Sequence, residues 1–333
     1  MNILINCPSN FNINSKKNEK LGGVESLNYD LAYELSKFSK SITLGTNCKK
    51  TIYDKKLKNI PIQELKKNCN NYNFDVILSS NDASIFNFYK NCKKILWLHN
   101  KLQLEKAIRK NKIIPIIRNR PNAVFVSKYL ENETSKLYFF NKRTVISNFL
   151  SPKFIIKKNT HKRNSIFVWS VKREKGLNET IEMWINKINP SYKAAKLYIF
   201  GVNKLFNKDK VNFFKSKNIF FFGRVSKLKL KNVYRKSLGM ICLGYDETFC
   251  LNALEANACG LPILTFAHTA LKDFAKNNYN SLIAKNFDEL SLKILLLLNY
   301  NKIQIQNLSQ KSFNHSKKFH LNKIINNWLK IIR

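Results

Sequence analysis

The chain is poor in acidic residues, with 21 Asp and Glu against 59 Lys and Arg among its 333 residues. The formal charge of +38 predicts attraction to an anionic partner, such as lipid headgroups, nucleic acid or an anionic substrate. The heavy use of Lys, Asn, Ile and Phe is also what an AT-rich genome would encode regardless of function. Since no nucleic-acid-binding motif accompanies the charge, an anionic membrane surface is the expected partner and nucleic acid is not.

Long apolar runs, cysteine pairs and a leader sequence are absent as well. No stretch approaches the roughly 20 apolar residues of a membrane span. The seven cysteines form no C-x-x-C pair, which argues against a zinc site or a disulfide framework and favours the reducing cytoplasm. The first eight residues lack a basic region and a cleavage site, so they predict a first β-strand rather than a signal peptide.

Apolar segments alternate with amphipathic segments along the chain, and this rhythm predicts parallel sheets covered by helices. The length and the 44% hydrophobic content allow two domains with separate cores. A polar stretch over 151–164 predicts a hinge, so we place the first domain at 1–158 and the second at 159–315. The predicted strands are 2–7, 41–46, 75–79, 94–99, 123–127, 144–146, 165–170, 196–201, 218–223, 238–243 and 263–266.

Residues 247–262, E-T-F-C-L-N-A-L-E-A-N-A-C-G-L-P, contain two of the few acids. After the predicted strand 238–243 the apolar spacing becomes helical, and Gly260 and Pro262 then end the helix. The residues at helical spacing are Leu251, Leu254 and Ala258. The pattern therefore places Glu247 at a strand-to-helix turn and Glu255 about one turn inside the helix.

A helix N-terminus between two acids suits a bound diphosphate. The backbone N–H groups that point out of the helix N-terminus belong to Phe249, Cys250 and Leu251. These groups favour a phosphate, and carboxylates on either side can accept hydrogen bonds from sugar hydroxyls. The alternative is an ordinary core helix with two solvated acids.

The same run resembles the glutamate motif of the family-4 (group 1) glycosyltransferases, E-G-F-G-L-x-x-x-E-A-x-A-x-G-x-P. Thr248 and Cys250 stand where the motif has glycine. The resemblance implies a GT-B fold, in which two Rossmann-like domains face each other across a cleft. It implies transfer of a sugar from a UDP- or GDP-sugar to a saccharide or lipid-linked acceptor, with retained configuration and in cell-envelope synthesis. No cofactor and no metal are expected, because no D-x-D pattern stands where a metal would bridge the phosphates.

The resemblance also implies roles in the second domain. Glu255 would hold the nucleotide ribose, Glu247 would hold hydroxyls of the donor sugar, and Lys175 would neutralise the leaving diphosphate. The usual arginine position falls on Ser170, so Arg173 or Lys172 is expected to supply the second cation. The turn with Val225 would contact the base. The usual glycine pair is missing from the turn at 268–273, so no site residue is assigned there.

In the first domain the resemblance implies that His99, at a predicted strand end, contacts the transferred sugar. Gly22 and Gly23 open the first helix and would line the cleft near the donor phosphate and the acceptor. The basic stretch 102–120 is either a solvated face or a membrane-docking surface. The helical apolar spacing near the end predicts a last helix within 316–333 that packs back on the first domain.

Three other functions stay open at this stage. A glycoside hydrolase also uses two carboxylates, but it has no need of a helix N-terminus and a lysine directed at a diphosphate. A nucleic-acid-binding protein would account for the charge directly. A catalytically inactive GT-B relative would account for Ser170 and the missing glycines.

Overall fold

The structure is a computed structural model that describes residues 1–12, 14, 21–54, 57–109, 112–156, 164–170, 176–202 and 207–333. The chain divides into two compact units, Met1–Ser151 with Leu321–Arg333, and Pro152–His320. This division falls seven residues before the boundary placed from the sequence at 158/159.

An eight-stranded sheet forms the centre of the first unit. Its strands are β1 (Asn2–Asn6), β2 (Ser41–Thr46), β3 (Ile52–Tyr53), β4 (Lys58–Pro61), β5 (Val76–Ser80), β6 (Lys93–Leu98), β7 (Asn122–Phe125) and β8 (Lys142–Val145). The strand order is β3-β4-β2-β1-β5-β6-β7-β8, and every pair is parallel except β3 with β4. The helices that precede residue 151 are α1 (Gly23–Leu35), α2 (Ile62–Lys67), α3 (Leu104–Arg109), α4 (Ile113–Asn119) and α5 (Lys128–Asn132).

A six-stranded parallel sheet forms the centre of the second unit. Its strands are β9 (Ile166–Trp169), β10 (Lys196–Phe200), β11 (Ile219–Gly223), β12 (Gly239–Ile241), β13 (Ile263–Thr265) and β14 (Ser281–Ile283). Their order is β11-β10-β9-β12-β13-β14. The helices are α6 (Leu177–Met183), α7 (Asn189–Ser191), α8 (Lys208–Ser216), α9 (Lys227–Lys236), α10 (Leu251–Ala258), α11 (Leu271–Phe274), α12 (Phe287–Leu298) and α13 (Lys302–Ser316). The two parallel α/β units confirm the predicted fold class.

The last helix, α14 (Leu321–Ile332), belongs to the first unit. Its apolar stripe is buried, and the Trp328 ring lies 4.8 Å from the Trp97 ring of β6 in an edge-to-face contact. Large buried aromatic side chains contribute strongly to core stability, so α14 completes the hydrophobic core of the first unit.

Three short strands were not predicted. β4 ends in proline and contains Asn59, so it lacks the apolar alternation that identifies a strand. Asn59 is fully buried because its side-chain amide donates to the Leu44 carbonyl and the Thr46 hydroxyl of β2. These two hydrogen bonds to the neighbouring strand help this polar residue to lie in the core. The other two, β3 and β14, have two and three residues.

Candidate active site

The carboxyl ends of β11, β12 and β13 lie at one edge of the second sheet, because these strands are parallel. β11 leads into the turn with Val225 and then into α9, whereas β12 leads into the loop with Glu247 and α10. β13 leads into a turn at Thr269. In open parallel sheets this edge is where ligands bind.

Glu247 is half-buried in the strand-to-helix turn, where the sequence pattern placed it. Its backbone N–H donates to Thr269 Oγ1 over 3.1 Å, and its carbonyl accepts from the Ala270 N–H over 3.2 Å. The Thr269 hydroxyl donates onward to the Gly244 carbonyl over 2.5 Å. The turn after β13 therefore holds the loop that carries Glu247.

The backbone around this loop is strained at several positions. Asp246, Cys250, Ala267 and Thr269 have φ values of 54°, 66°, 52° and 52°, in the left-handed region that disfavours residues with a Cβ atom. A Cβ atom at Gly244 (φ +90°) would lie 2.8 Å from the His268 carbonyl oxygen, so this close approach requires glycine. Strained backbone of this kind concentrates at functional sites.

Helix α10 begins at Leu251 with Cys250 as its N-cap, and the Cys250 side chain makes no capping hydrogen bond. In the part of the chain that the structure describes, no acceptor takes the backbone N–H of Phe249, Cys250 or Leu251. The Cys250 thiol lies 3.4 Å from the Cys242 thiol, and both are free and buried. The hydrogen bond with Cys242 and then burial raise the pKa of Cys250 well above its ordinary value. The helix N-terminus thus keeps its donors available for an anion.

Glu255 is buried one turn inside α10, so it is not a solvated surface acid. Lys227 Nζ, from the first residue of α9, lies 2.6 Å from each of its carboxylate oxygens. Burial raises the pKa of Glu255, and Lys227 opposes that rise. The pair therefore keeps a carboxylate charged in a place where burial alone would favour its neutral form.

Ser170, at the expected arginine position, is buried and hydrogen-bonded within the unit. Its hydroxyl lies 2.5 Å from the Tyr234 hydroxyl of α9, and its carbonyl accepts a hydrogen bond from the Asn252 side chain of α10. This serine joins β9 to α9 and α10 and supplies no cation.

The candidate cations Lys172, Arg173 and Lys175 lie outside the described residues, so their roles stay predictions.

His99 follows β6 in the first unit and is 4% exposed. Its backbone N–H donates to Asn81 Oδ1 over 2.8 Å, and its ring lies 4.3 Å from the Trp97 ring. Burial lowers the pKa of His99 to about 3, so the imidazole is neutral at physiological pH. A neutral imidazole can hydrogen-bond a sugar hydroxyl but is no source of protons.

Gly22 and Gly23 open α1, as the sequence predicted. Gly22 has φ −69°, an ordinary extended conformation, and a Cβ atom there would meet only the flexible Glu25 carboxylate. The local backbone therefore does not require glycine at Gly22, and the expected approach of a ligand to this turn stays a prediction. Val225 is half-buried in the turn two residues before Lys227.

Sequence reasoning missed two residues that the structure places in this site. Lys227 was hidden among the many lysines of a basic chain, and only its ion pair with Glu255 distinguishes it. Thr269 was set aside because the glycines typical of its turn are missing. Its positive φ and its two hydrogen bonds show what the residue does there.

Residues 151–314 match the family model of the glycosyl transferases group 1. The match covers almost all of the second unit, including the loop with Glu247 and helix α10, and just under half of the chain.

Uncharacterized glycosyltransferase MJ1178 of Methanocaldococcus jannaschii is 26% identical over 62% of this chain, and the alignment spans 58% of that relative. Among solved structures, a sucrose-phosphate synthase from Thermosynechococcus elongatus has a TM-score of 0.73 at 14% identity, covering 99% of this chain and 98% of that one. The Anabaena Alr3699/HepE structure in complex with UDP and glucose has a TM-score of 0.68 at 13% identity, covering 99% and 98%. The likenesses to these solved structures show the GT-B fold.

Replacement of Cys250 by glycine should give a more stable protein than replacement by alanine. Both changes remove the thiol and its contact with Cys242, so alanine is the matched control. Because φ is +66° at this position, the alanine variant should be less stable by about 1 kcal/mol. Urea unfolding followed by circular dichroism measures the difference. Equal stability of the two variants would contradict a left-handed backbone at residue 250.

The free energy of unfolding should rise with pH between about 4 and 6.5, because the unfolded state binds a proton that buried His99 does not. The stabilisation from His99 is fully present above its unfolded pKa of about 6.5 and is lost as the pH falls towards 3. Urea unfolding at pH 7.5 and at pH 5 gives the difference in the free energy of unfolding between the two conditions. This difference should be smaller in His99→Gln than in the wild type by about 2 kcal/mol.

A residual slope is expected in that variant, because burial also lowers the pKa of His315 to about 4. An unchanged slope in His99→Gln would contradict a buried neutral imidazole at residue 99.

Proposed function

We propose that this chain is a glycosyltransferase of family 4 that moves a sugar from a nucleotide-sugar donor to a saccharide or lipid-linked acceptor. The observation that carries the proposal is the arrangement around α10. A buried, charged Glu255 and a strained loop with Glu247 flank a helix N-terminus with available donors, within the residues that match the family.

In this proposal each part of the donor has its own binding group. Glu255 accepts hydrogen bonds from the ribose hydroxyls, and the N-terminus of α10 receives the diphosphate. Glu247 receives hydroxyls of the donor sugar, and His99 keeps its predicted contact with the transferred sugar. The roles that the resemblance implies are retained in this proposal for Lys175, Arg173, Val225, Gly22 and Gly23.

The proposed transfer retains the anomeric configuration. The bond between the anomeric carbon and the diphosphate oxygen breaks, and the acceptor oxygen bonds to that carbon from the same face. The acceptor proton passes to the departing diphosphate, which leaves as the nucleoside diphosphate. Side-chain cations and the dipole of α10 stabilise its charge, so neither a metal nor a cofactor is needed.

Nucleotide binding is the first test. A thermal-shift panel of UDP, GDP, ADP, CMP and dTDP, without and then with magnesium, should show one nucleotide that stabilises the wild type without metal. A ligand at a hundredfold excess over its dissociation constant adds about 2.7 kcal/mol of stability. UDP is the first choice because the similar HepE structure holds UDP and glucose.

The Glu255→Gln variant should lose that nucleotide-induced shift, because a neutral amide replaces the charged acceptor for the ribose. Glu182→Gln, which changes an exposed acid of the same unit, should keep it. Stabilisation only with magnesium would contradict metal independence.

No shift with any nucleotide would favour the inactive relative. Retention on a nucleic-acid column with steep salt dependence would then favour nucleic-acid binding. Cleavage of a nitrophenyl glycoside without nucleotide would favour a hydrolase.

We also propose that the α3–α4 region docks on an anionic membrane surface, which would place the enzyme in the cytoplasm at the inner face of the membrane. Ile108, Ile114 and Ile117 are 54%, 57% and 41% exposed. The exposed basic residues around them are Arg109, Lys112, Arg118 and Arg120. Apolar side chains within a cationic surface suit an anionic bilayer, and such a location suits lipid-linked acceptors and envelope synthesis. None of the helices in the described ranges is both long enough and apolar enough to cross a bilayer.

Vesicle co-sedimentation tests the docking surface. The wild type should bind vesicles of phosphatidylcholine with phosphatidylglycerol and not vesicles of phosphatidylcholine alone. Ile114→Ser with Ile117→Ser should weaken that binding, because apolar area no longer enters the interface. Ile303→Ser, at an isoleucine of α13 that is 67% exposed, is the control that should bind like the wild type. Equal loss in the control would show that these isoleucines have no special role.

A further inference from the structure

The buried carboxylate of Glu255 depends on a lysine from the neighbouring helix. Lys227 Nζ lies 2.6 Å from both carboxylate oxygens, and the Lys227 and Glu255 side chains are 29% and 7% exposed. Ser226 fixes the start of α9 because its hydroxyl accepts the Lys229 N–H over 3.2 Å. The Lys227 ammonium group also lies 5.5 Å from the centre of the Phe154 ring. The Ser226 cap therefore fixes the backbone near Lys227, and Glu255 and Phe154 contact its ammonium group.

This ion pair leaves acceptor sites of the Glu255 carboxylate unused. Each carboxylate oxygen has two acceptor sites, and Lys227 takes one on each oxygen. The remaining sites can accept two hydroxyl groups of a ribose. Hydrogen bonds to an ionised acceptor are roughly twice as strong as those to a neutral one, so the charge on Glu255 matters for affinity.

Only one cation supports that charge among the described residues. Burial raises the pKa of Glu255, and Lys227 is the group that lowers it. Tyr234 of α9 also lies near Glu255, and burial raises the pKa of Tyr234 well above its ordinary value. Tyr234 therefore stays neutral and cannot replace Lys227.

From this geometry we propose that Lys227 is a positioning residue, which keeps Glu255 ionised and oriented so that its carboxylate receives the ribose of the donor. The role rests on the proposed function, because Lys227 acts through Glu255 and not on the reacting atoms. The sequence alone does not distinguish Lys227 from the many other lysines of the chain.

Nucleotide affinity as a function of pH tests the proposal. The dissociation constant of the nucleotide that stabilises the wild type would be measured by calorimetry from pH 5.5 to 8.5. Lys227→Met should weaken binding about tenfold at pH 7, and its affinity should recover as rising pH ionises Glu255. Lys227→Arg should restore the pH profile of the wild type. Lys229→Met, at an exposed lysine two residues further along α9, should match the wild type.

Wild-type affinity in Lys227→Met would overturn the proposal. So would a loss that is the same at every pH, because that result indicates a merely structural role for Lys227.

A stability cycle without nucleotide separates this proposal from the proposed function. In Lys227→Met an added pH dependence should lower the stability as the pH rises from about 4.5 and oppose the rise caused by His99, since the unfolded chain releases the Glu255 proton more readily than the folded one. The double variant with Glu255→Gln should lose that dependence. If the cycle shows the coupling but no nucleotide binds the wild type, the proposed function fails and the positioning role fails with it. If the wild type binds and Lys227→Met binds equally well, only the role of Lys227 is wrong.

Discussion

The ion pair between Lys227 and Glu255 is the interaction on which the rest of the site depends. A buried carboxylate is stable only when a cation or several donors compensate its charge. Lys227, in the first turn of α9, supplies this cation. Helices α9 and α10 must therefore keep their relative positions for Glu255 to remain charged. The orientation of α10, and with it the direction of its free N–H groups, is thereby tied to the position of one acid.

Further polar contacts fix the remainder of α10. The Asn257 side chain donates to the carbonyls of Leu261 and Asn280, and the Asn280 side chain donates back to Asn257 Oδ1. All of these groups are buried, so their hydrogen bonds are costly to break. Near the other end of the helix, the Asn252 side chain donates a hydrogen bond to the Ser170 carbonyl. A short helix is therefore held at both ends by side-chain amides and in its middle by an ion pair.

The departures from the glycosyltransferase motif have a structural explanation. Cys250 stands where the motif has glycine, and it still adopts the left-handed backbone that glycine would favour. Thr269 adopts the same conformation and uses its hydroxyl to hold the Glu247 loop. The surrounding hydrogen bonds impose these conformations at a cost of order 1–3 kcal/mol each. Residues with a Cβ atom therefore hold the left-handed positions of this loop.

Local patterns in the sequence determined most of the strands and the helix α10. Apolar periodicity located β2 and α10 and the turn that carries Glu247, because these features depend on residues close together in the chain. Tertiary structure alone decided the strand β4, whose buried Asn59 donates hydrogen bonds to β2. It also decided which of many lysines faces Glu255 and how Thr269 supports Glu247. These contacts join residues far apart in sequence, and no local pattern encodes such pairings.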